Sequence, residues 1–150
     1  MRKFEVVKDE FLKYDMNEVQ LPIRSTICSA GYDFYSPTDD VVKAGEVKTI
    51  WTNVKFTCNT DEYLMLCVRS SMGKRGIRLA NGVGIIDGDY YSNPDNDGNI
   101  GFMLHNFGND DYIIKKGDRI GQGIIMKYLV ADEDNCKDSV RTSGFGSTNK

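Results

Sequence analysis

The stretch EVKTIWTNVKFTCNTDEYLMLCV, residues 46–68, decides the fold. Two runs rich in β-branched and aromatic residues, EVKTIWTNVKF at 46–56 and EYLMLCV at 62–68, stand on either side of a turn signal. Such residues suit the pleated, half-buried surface of a sheet. Working outward, KFEVV, GVGII, NIGFML, DYIIKK and RIGQGIIMKYLV repeat the pattern, separated by the turn-rich connectors KAGE, NPDNDG and KKGD. In these, Asp-Gly or Lys-Gly supplies the positive φ that tight reversals need. Helical periodicity is nearly absent, and many short strands make an all-β sandwich or barrel. Two segments have room for a turn or two of helix: DEFLKYD near the start, and SSMGKRG, where Ser70 or Ser71 is a candidate cap.

The 150 residues suffice for one domain with a sizeable core and not for two ordinary ones. Lys and Arg total 19 against 22 acids, a net charge of -3, and the two signs are interleaved. That balance argues against a protein that grips a nucleic-acid backbone, and points to a small nucleotide if any nucleic-acid chemistry is involved. The opening MRKFEVVKDEFLKYD puts charges where a secretory signal needs an apolar segment. Apolar runs such as YLMLCV are strand-sized, far below a membrane span. The chain therefore reads as soluble, cytoplasmic and free of membrane contact. Cys28, Cys58, Cys67 and Cys136 form no CxxC pair, so free thiols in a reducing compartment are expected. With the single histidine His105, a two-histidine metal site is excluded within one chain. Chemistry must then run on carboxylates, arginines, hydroxyls and backbone amides.

Several constellations offer that chemistry, each with a plainer structural reading beside it. GVGIIDGDYY, 82–91, drives an apolar strand into Asp87 and Asp89, which form either a turn or a controlled base. RSSMGKRG, 69–76, sets Arg69, two hydroxyls and helix N-terminal amides after a strand, as an oligophosphate needs. A serine-capped strand end with ordinary surface basics explains it equally well. GDRIGQ, 117–122, offers Gln122 as a phosphate donor, or a turn with a surface ion pair. Asp33 lies between aromatics in AGYDFYS. From about Ala131 the chain turns polar and acidic and then rich in glycine and hydroxyls, too poor in apolar groups to offset its own ordering entropy. We therefore divide it into a β domain at 1–130 and a flexible arm at 131–150. RTSGFGST within the arm brackets Phe145 with glycines, and lacks the Walker A spacing.

Taken in order, LPIRSTICSAGYDFYSP, VRSSMGKRG, NGVGIIDGDYY, KKGDRIGQGII and RTSGFGST resemble the five motifs of the trimeric dUTPase family, spanning residues 21–148. The resemblance implies a jelly-roll-like β-barrel or sandwich, and hydrolysis of dUTP to dUMP and pyrophosphate. It implies that Asp87 orients and activates the water attacking the α-phosphorus. It also implies that Asn81, Gly84 and the backbone of a hairpin running to Tyr90 make up the uracil pocket, with Tyr90 resembling the ring against the deoxyribose and Phe145 the one over the base. Arg69, Ser70, Ser71 and Gln122 match phosphate contacts, as do Arg141, Ser147 and Thr148 in the arm. Mg²⁺ is implied, held mainly by the phosphates and water, with Asp33 reaching it through water. The assembly implied is a homotrimer with shared sites, the arm closing over a site that is not its own.

This sequence departs from the family pattern in two places. YSNPDNDGN after Tyr90 replaces a shorter turn, and Thr142, Ser143 and Asn149 stand where glycine is common. The longer loop at 91–99 keeps a second function class open, a nucleotide-gated interaction protein with a protein partner at that loop. A dCTP deaminase on the same fold is the third reading, disfavoured because NIGFMLHNF lacks the glutamate of those relatives.

Overall fold

The computed structural model describes residues 1–15 and 18–136. In chain order the strands are β1 (Lys3–Val6), β2 (Gly31–Tyr35), β3 (Asp40–Val42), β4 (Val47–Trp51), β5 (Val54–Thr57), β6 (Glu62–Cys67), β7 (Ile77–Leu79), β8 (Gly84–Ile86), β9 (Gly101–Asn106), β10 (Tyr112–Ile114) and β11 (Arg119–Lys127). One short helix, α1 (Ser70–Lys74), and 3-10 turns at Asp9–Phe11 and Gly88–Tyr90 interrupt them. Every ladder is antiparallel.

Strand β6 shows why these residues choose a sheet. Glu62, Leu64 and Leu66 point inward and alternate with half-buried Tyr63, Met65 and Cys67, the period-2 pattern of a strand with one wet face. It sits inside a four-stranded sheet ordered β2-β11-β6-β8. A second sheet, β4-β9-β7, faces it, and the pairs β1-β5 and β3-β10 close the flanks. The core lies between the two larger sheets, where the Phe34 and Phe102 rings meet at 5.2 Å. Phe4 packs on Phe34 and Phe56 at 5.7 and 4.8 Å. Each fully buried side chain of this kind contributes about 1.5–3 kcal/mol. Gly121 of β11 lets the sheets approach, since a Cβ there would lie 2.2 Å from Phe102 Cε1. The described residues form a jelly-roll-like sandwich that does not close into a barrel.

Several sequence expectations are met at residue level. The Lys-Gly and Asp-Gly turns place Gly117 and Gly98 at φ of 86° and 83°. Both short helical segments form, and the four cysteines are free thiols. Among the described residues no helix is long and apolar enough to cross a membrane.

Three local readings need correction. EVKTIWTNVKF is two strands, because Thr52 and buried Asn53 break it. The Thr52 hydroxyl donates to Ile100 O at 2.8 Å, and Asn53 takes a φ of 59° that no strand tolerates. Neither Ser70 nor Ser71 caps α1; Arg69 occupies the N-cap position, without a side-chain cap bond. The segment from Asn81 to Tyr90 is not a hairpin with its predecessor. Strand β7 pairs with β9 whereas β8 pairs with β6, so the turn at 80–83 carries the chain from one sheet to the other.

Candidate active site

Asp33, Arg69 and Gln122 converge where β2, β11 and β6 run side by side. The ladder register sets Asp33 opposite Gln122 and Gln122 opposite Cys67, and β6 then leads into Arg69 and α1. Asp33 is buried, with Oδ1 at 3.0 Å from Arg69 Nε and Oδ2 at 3.4 Å from Arg119 Nη1. The Ser25 hydroxyl donates to Oδ2 at 2.6 Å. One carboxylate thus orients two guanidiniums and leaves a net positive charge at the rim. Ser70 and Ser71 are exposed beside it on the first turn of α1, which buried Met72 anchors to the core. Gln122 folds its amide over Gly31, where a Cβ would meet Oε1 at 2.2 Å. Arginines, hydroxyls and an amide converging on one rim can bind an oligophosphate.

Arg119 and Ser25 are functional candidates that sequence reasoning missed. Arg119 reads as half of a local surface pair with Asp118. In the fold, Asp118 instead closes its own turn by accepting from Lys115 N at 2.8 Å, and Arg119 turns to Asp33. The bulge between Arg119 and Gly121 re-aims the side chain, a feature with no sequence signal beyond the glycine.

Asp87 lies elsewhere. It ends β8 and precedes the 3-10 turn Gly88–Tyr90, with its side chain exposed on a depression of about 590 Å³. Cys58, Thr60, Asp89 and Tyr128 line that depression with it; in the sequence Asp89 stands out as a carboxylate and Cys58 only as a free thiol, and Thr60 and Tyr128 carry no signal. Burial raises the Cys58 thiol above its ordinary pKa, so it stays protonated and inert near neutrality.

Strand β8 connects the two regions. Val83, Ile85 and Asp87 face outward, whereas Gly84 and Ile86 face the core, Gly84 lying so close to Leu66 that a Cβ would sit 3.0 Å from it. Asn81 is exposed in the turn before it. Among the described residues β8 has a ladder with β6 alone, so its other edge presents backbone N–H and C=O groups outward.

Tyr90 is almost wholly buried, at 4% exposure, and belongs to the core cluster. Its hydroxyl donates to Asn99 O at 2.7 Å and accepts from Asn96 Nδ2 at 2.7 Å. Arg141, Phe145, Ser147 and Thr148 lie outside the described residues.

The distance between the two groups follows from the ladder. Ile86 pairs with Leu64, so Asp87 stands beside the start of β6, whereas Arg69 lies beyond its end. Six residues of extended chain separate them, about 20 Å at a rise of about 3.3 Å per residue. A general base must come within hydrogen-bond reach, directly or through one water, of the group it acts on. One chain therefore does not bring Asp87 to the Arg69 rim.

The order and content of these elements have close counterparts among known proteins. The family model dUTPase matches residues 17–149. The deoxyuridine 5'-triphosphate nucleotidohydrolase of Lactococcus lactis subsp. lactis (strain IL1403) is 43% identical over 150 residues, covering 99% of this chain and 97% of that protein. The enzyme of the same name from Rickettsia felis is 36% identical over 135 residues, covering 85% and 87%. The crystal structure of dUTPase from Streptococcus mutans superposes with a TM-score of 0.77 at 36% identity, over 86% of this chain and 98% of that one. The dUTPase from phage phi11 of S. aureus, 17% identical, shares the fold with a TM-score of 0.72 over 93% and 97%. With a family match over residues 17–149 and relatives aligned over most of their length, the chain belongs to the dUTPase family.

Proposed function

We propose that Asp87 is the general base of dUTP hydrolysis, acting on a nucleotide whose phosphates are held by the Arg69 rim of another copy of the chain. That dUTP is hydrolysed to dUMP and pyrophosphate follows from the family and its relatives. The observation that carries the assignment of roles is the position of Asp87. It is an exposed carboxylate at the end of an edge strand, next to outward-facing backbone and about 20 Å along β6 from its own rim.

In this reading the free edge of β8 and Asn81 pair with the uracil ring. A buried donor or acceptor left unmatched costs about 1–3 kcal/mol, so a base with the reversed pattern is rejected. Tyr90 offers the sugar a fixed floor. Arg69, Ser70, Ser71 and Gln122 bind the phosphates, and Arg119 joins them by sharing Asp33 with Arg69. Residues 131–150 form an arm whose Arg141, Ser147 and Thr148 reach the γ-phosphate and whose Phe145 covers the base.

Family members are generally magnesium-dependent. Among the described residues no three His, Cys, Asp or Glu side chains converge into a metal cage, and both Asp33 oxygens are engaged by arginine and serine. This donor set fits an ion that arrives with the triphosphate, Asp33 contributing charge through water. Bound there, Mg²⁺ would neutralise charge on the leaving pyrophosphate.

Assembly is supported by the outer face of the four-stranded sheet. The register aligns Ile124, Met65 and Ile85 across three strands, flanked by exposed Val83 and Met126. A contiguous apolar row of this kind marks an interaction surface. We assign it to a homotrimer, in which Asp87 of one chain meets the Arg69 rim of the next. Four free thiols are in keeping with a reducing compartment, and we assign the enzyme to the cytoplasm.

The test is pyrophosphate release from dUTP, dCTP, dTTP and UTP side by side, with light scattering for the assembly mass. Asp87→Asn should keep nucleotide affinity and lose about 10²–10⁴-fold in turnover. Full activity in that variant would remove Asp87 from the mechanism.

A further inference from the structure

The loop at 91–99 looks, in sequence, like a surface insertion. The fold turns it inward. Asn93, Asn96, Asp97, Gly98 and Asn99 are buried, leaving Ser92, Pro94 and Asp95 as its exposed residues. Its asparagines surround one target. Asn93 Nδ2 donates to Tyr90 O at 2.8 Å, Asn96 Nδ2 donates to the Tyr90 hydroxyl at 2.7 Å, and that hydroxyl donates to Asn99 O at 2.7 Å. Gly98 packs so close that a Cβ would lie 2.9 Å from Tyr90 O.

The loop is itself fixed from within and from outside. Asn96 Oδ1 accepts from Asn93 Nδ2 at 2.8 Å and from Gly98 N at 3.0 Å. Asp97, 1% exposed, takes Lys55 Nζ at 2.8 Å and Lys8 N at 2.9 Å. Asn99 ties in Asn53 N at 3.0 Å. Both ends of the Tyr90 residue, its hydroxyl and its carbonyl, are therefore gripped by a framework rooted in β5 and the N-terminal segment.

We propose that Asn96 is a positioning residue for the sugar subsite: it fixes the Tyr90 ring through the hydroxyl and so sets discrimination between deoxyribose and ribose triphosphates. The inference rests on the assignment of Tyr90 to the sugar. A ring held at both ends cannot retreat to admit a 2′-hydroxyl, whereas a ring held by its backbone alone can rotate about χ1 and χ2.

Asn96→Asp keeps the oxygen that accepts from Asn93 and Gly98 and replaces the donor that faces the tyrosine. The experiment measures kcat/KM for dUTP and for UTP in the full-length assembled enzyme, for wild type, Asn96→Asp, Tyr90→Phe and the double variant. The expected result is a loss of roughly 3- to 10-fold in the dUTP:UTP ratio for Asn96→Asp, the size of one hydrogen bond. Little further loss should appear when the substitution is added to Tyr90→Phe. An unchanged ratio, or an equal loss in the Tyr90→Phe background, overturns the proposal. Should Asn96→Asp fail to assemble, Asn96→Ser enters the same cycle. Tyr90→Leu separates the two levels. If it leaves the ratio intact, the assignment of Tyr90 to the sugar is wrong; if it lowers the ratio and Asn96→Asp does not, the role of Asn96 alone is wrong.

Discussion

The separation of about 20 Å between Asp87 and the Arg69 rim predicts that two differently inactivated chains restore each other. Asp87→Asn removes the proposed base and leaves the proposed phosphate rim whole. Arg69→Ala removes a guanidinium from the rim and leaves Asp87 in place, with Asp33 still held by Arg119 and Ser25. Alone, each variant carries the same defect in every site. In a mixed assembly, a site is intact when its Asp87 comes from the Arg69→Ala chain and its Arg69 from the Asp87→Asn chain.

With equal expression and random mixing, each condition holds half the time, so about a quarter of the sites are intact whatever the number of subunits, provided two different chains build each site. The assay is dUTP turnover per chain of co-expressed variants purified through a common tag, compared with each variant alone. A second tag on one chain confirms that mixed assemblies have formed. The expected recovery is about one quarter of wild-type turnover, against residual parental rates about 10²-fold or more lower. Mixed assemblies no more active than the mean of their parents would refute the shared site and place Asp87 and Arg69 in one chain's pocket, against the β6 register.

Two further outcomes follow from the core and from the loop. Gly121→Ala pushes a methyl into Phe102 Cε1 and should cost about 1–3 kcal/mol by denaturant unfolding; Phe102→Leu in the same chain should recover part of it, and equal stability of Gly121→Ala and wild type would contradict the packing. Burial opposes ionisation of Asp97, yet the Lys55 ammonium and the Lys8 N–H outweigh it and hold the carboxyl below its usual pKa. A depressed carboxylate stabilises the fold above its unfolded pKa of about 3.9 and loses that contribution as pH falls through the folded value. Wild type should therefore lose stability below about pH 4 more steeply than Asp97→Asn, which starts lower because Lys55 is left unpaired. Parallel acid profiles would remove Asp97 from the linkage.

The strands were legible because runs rich in β-branched and aromatic residues stand between turn signals; the alternation of Leu64 and Leu66 against Tyr63 and Met65 is hidden in a run that is apolar throughout. What could not be read was where a strand's partner lies. EVKTIWTNVKF carries no mark that Val47 and Val54 belong to different sheets, since the break depends on Asn53 bonding to distant Asn99. The turn at 80–83 looks like a hairpin locally, and nothing in it reports that β7 and β8 diverge. Site residues were legible as types and not as neighbours. Asp33, Arg69 and Gln122 stand far apart in sequence and meet through the β2-β11-β6 register, which also brought in Arg119. Asp87 carries no trace in the chain of lying at the opposite end of β6 from them.

The 91–99 loop shows why polarity is a poor guide to exposure. YSNPDNDGN has the composition of a solvated turn, and ordering its backbone costs about 1–2 kcal/mol per residue, roughly 9–18 kcal/mol in all. Each hydrogen bond returns about 1 kcal/mol net, so an ordered loop must satisfy nearly all its groups at once. Three asparagines, each offering a donor and an acceptor at short reach, do this for the loop and for Tyr90 together, and among the described residues no buried side-chain polar atom lacks a partner. A binding loop kept for a partner would hold such groups in reserve toward solvent. Here they are spent inward on the residue assigned to the sugar, which favours a loop selected for the precision of the active site over one selected for contact with another protein.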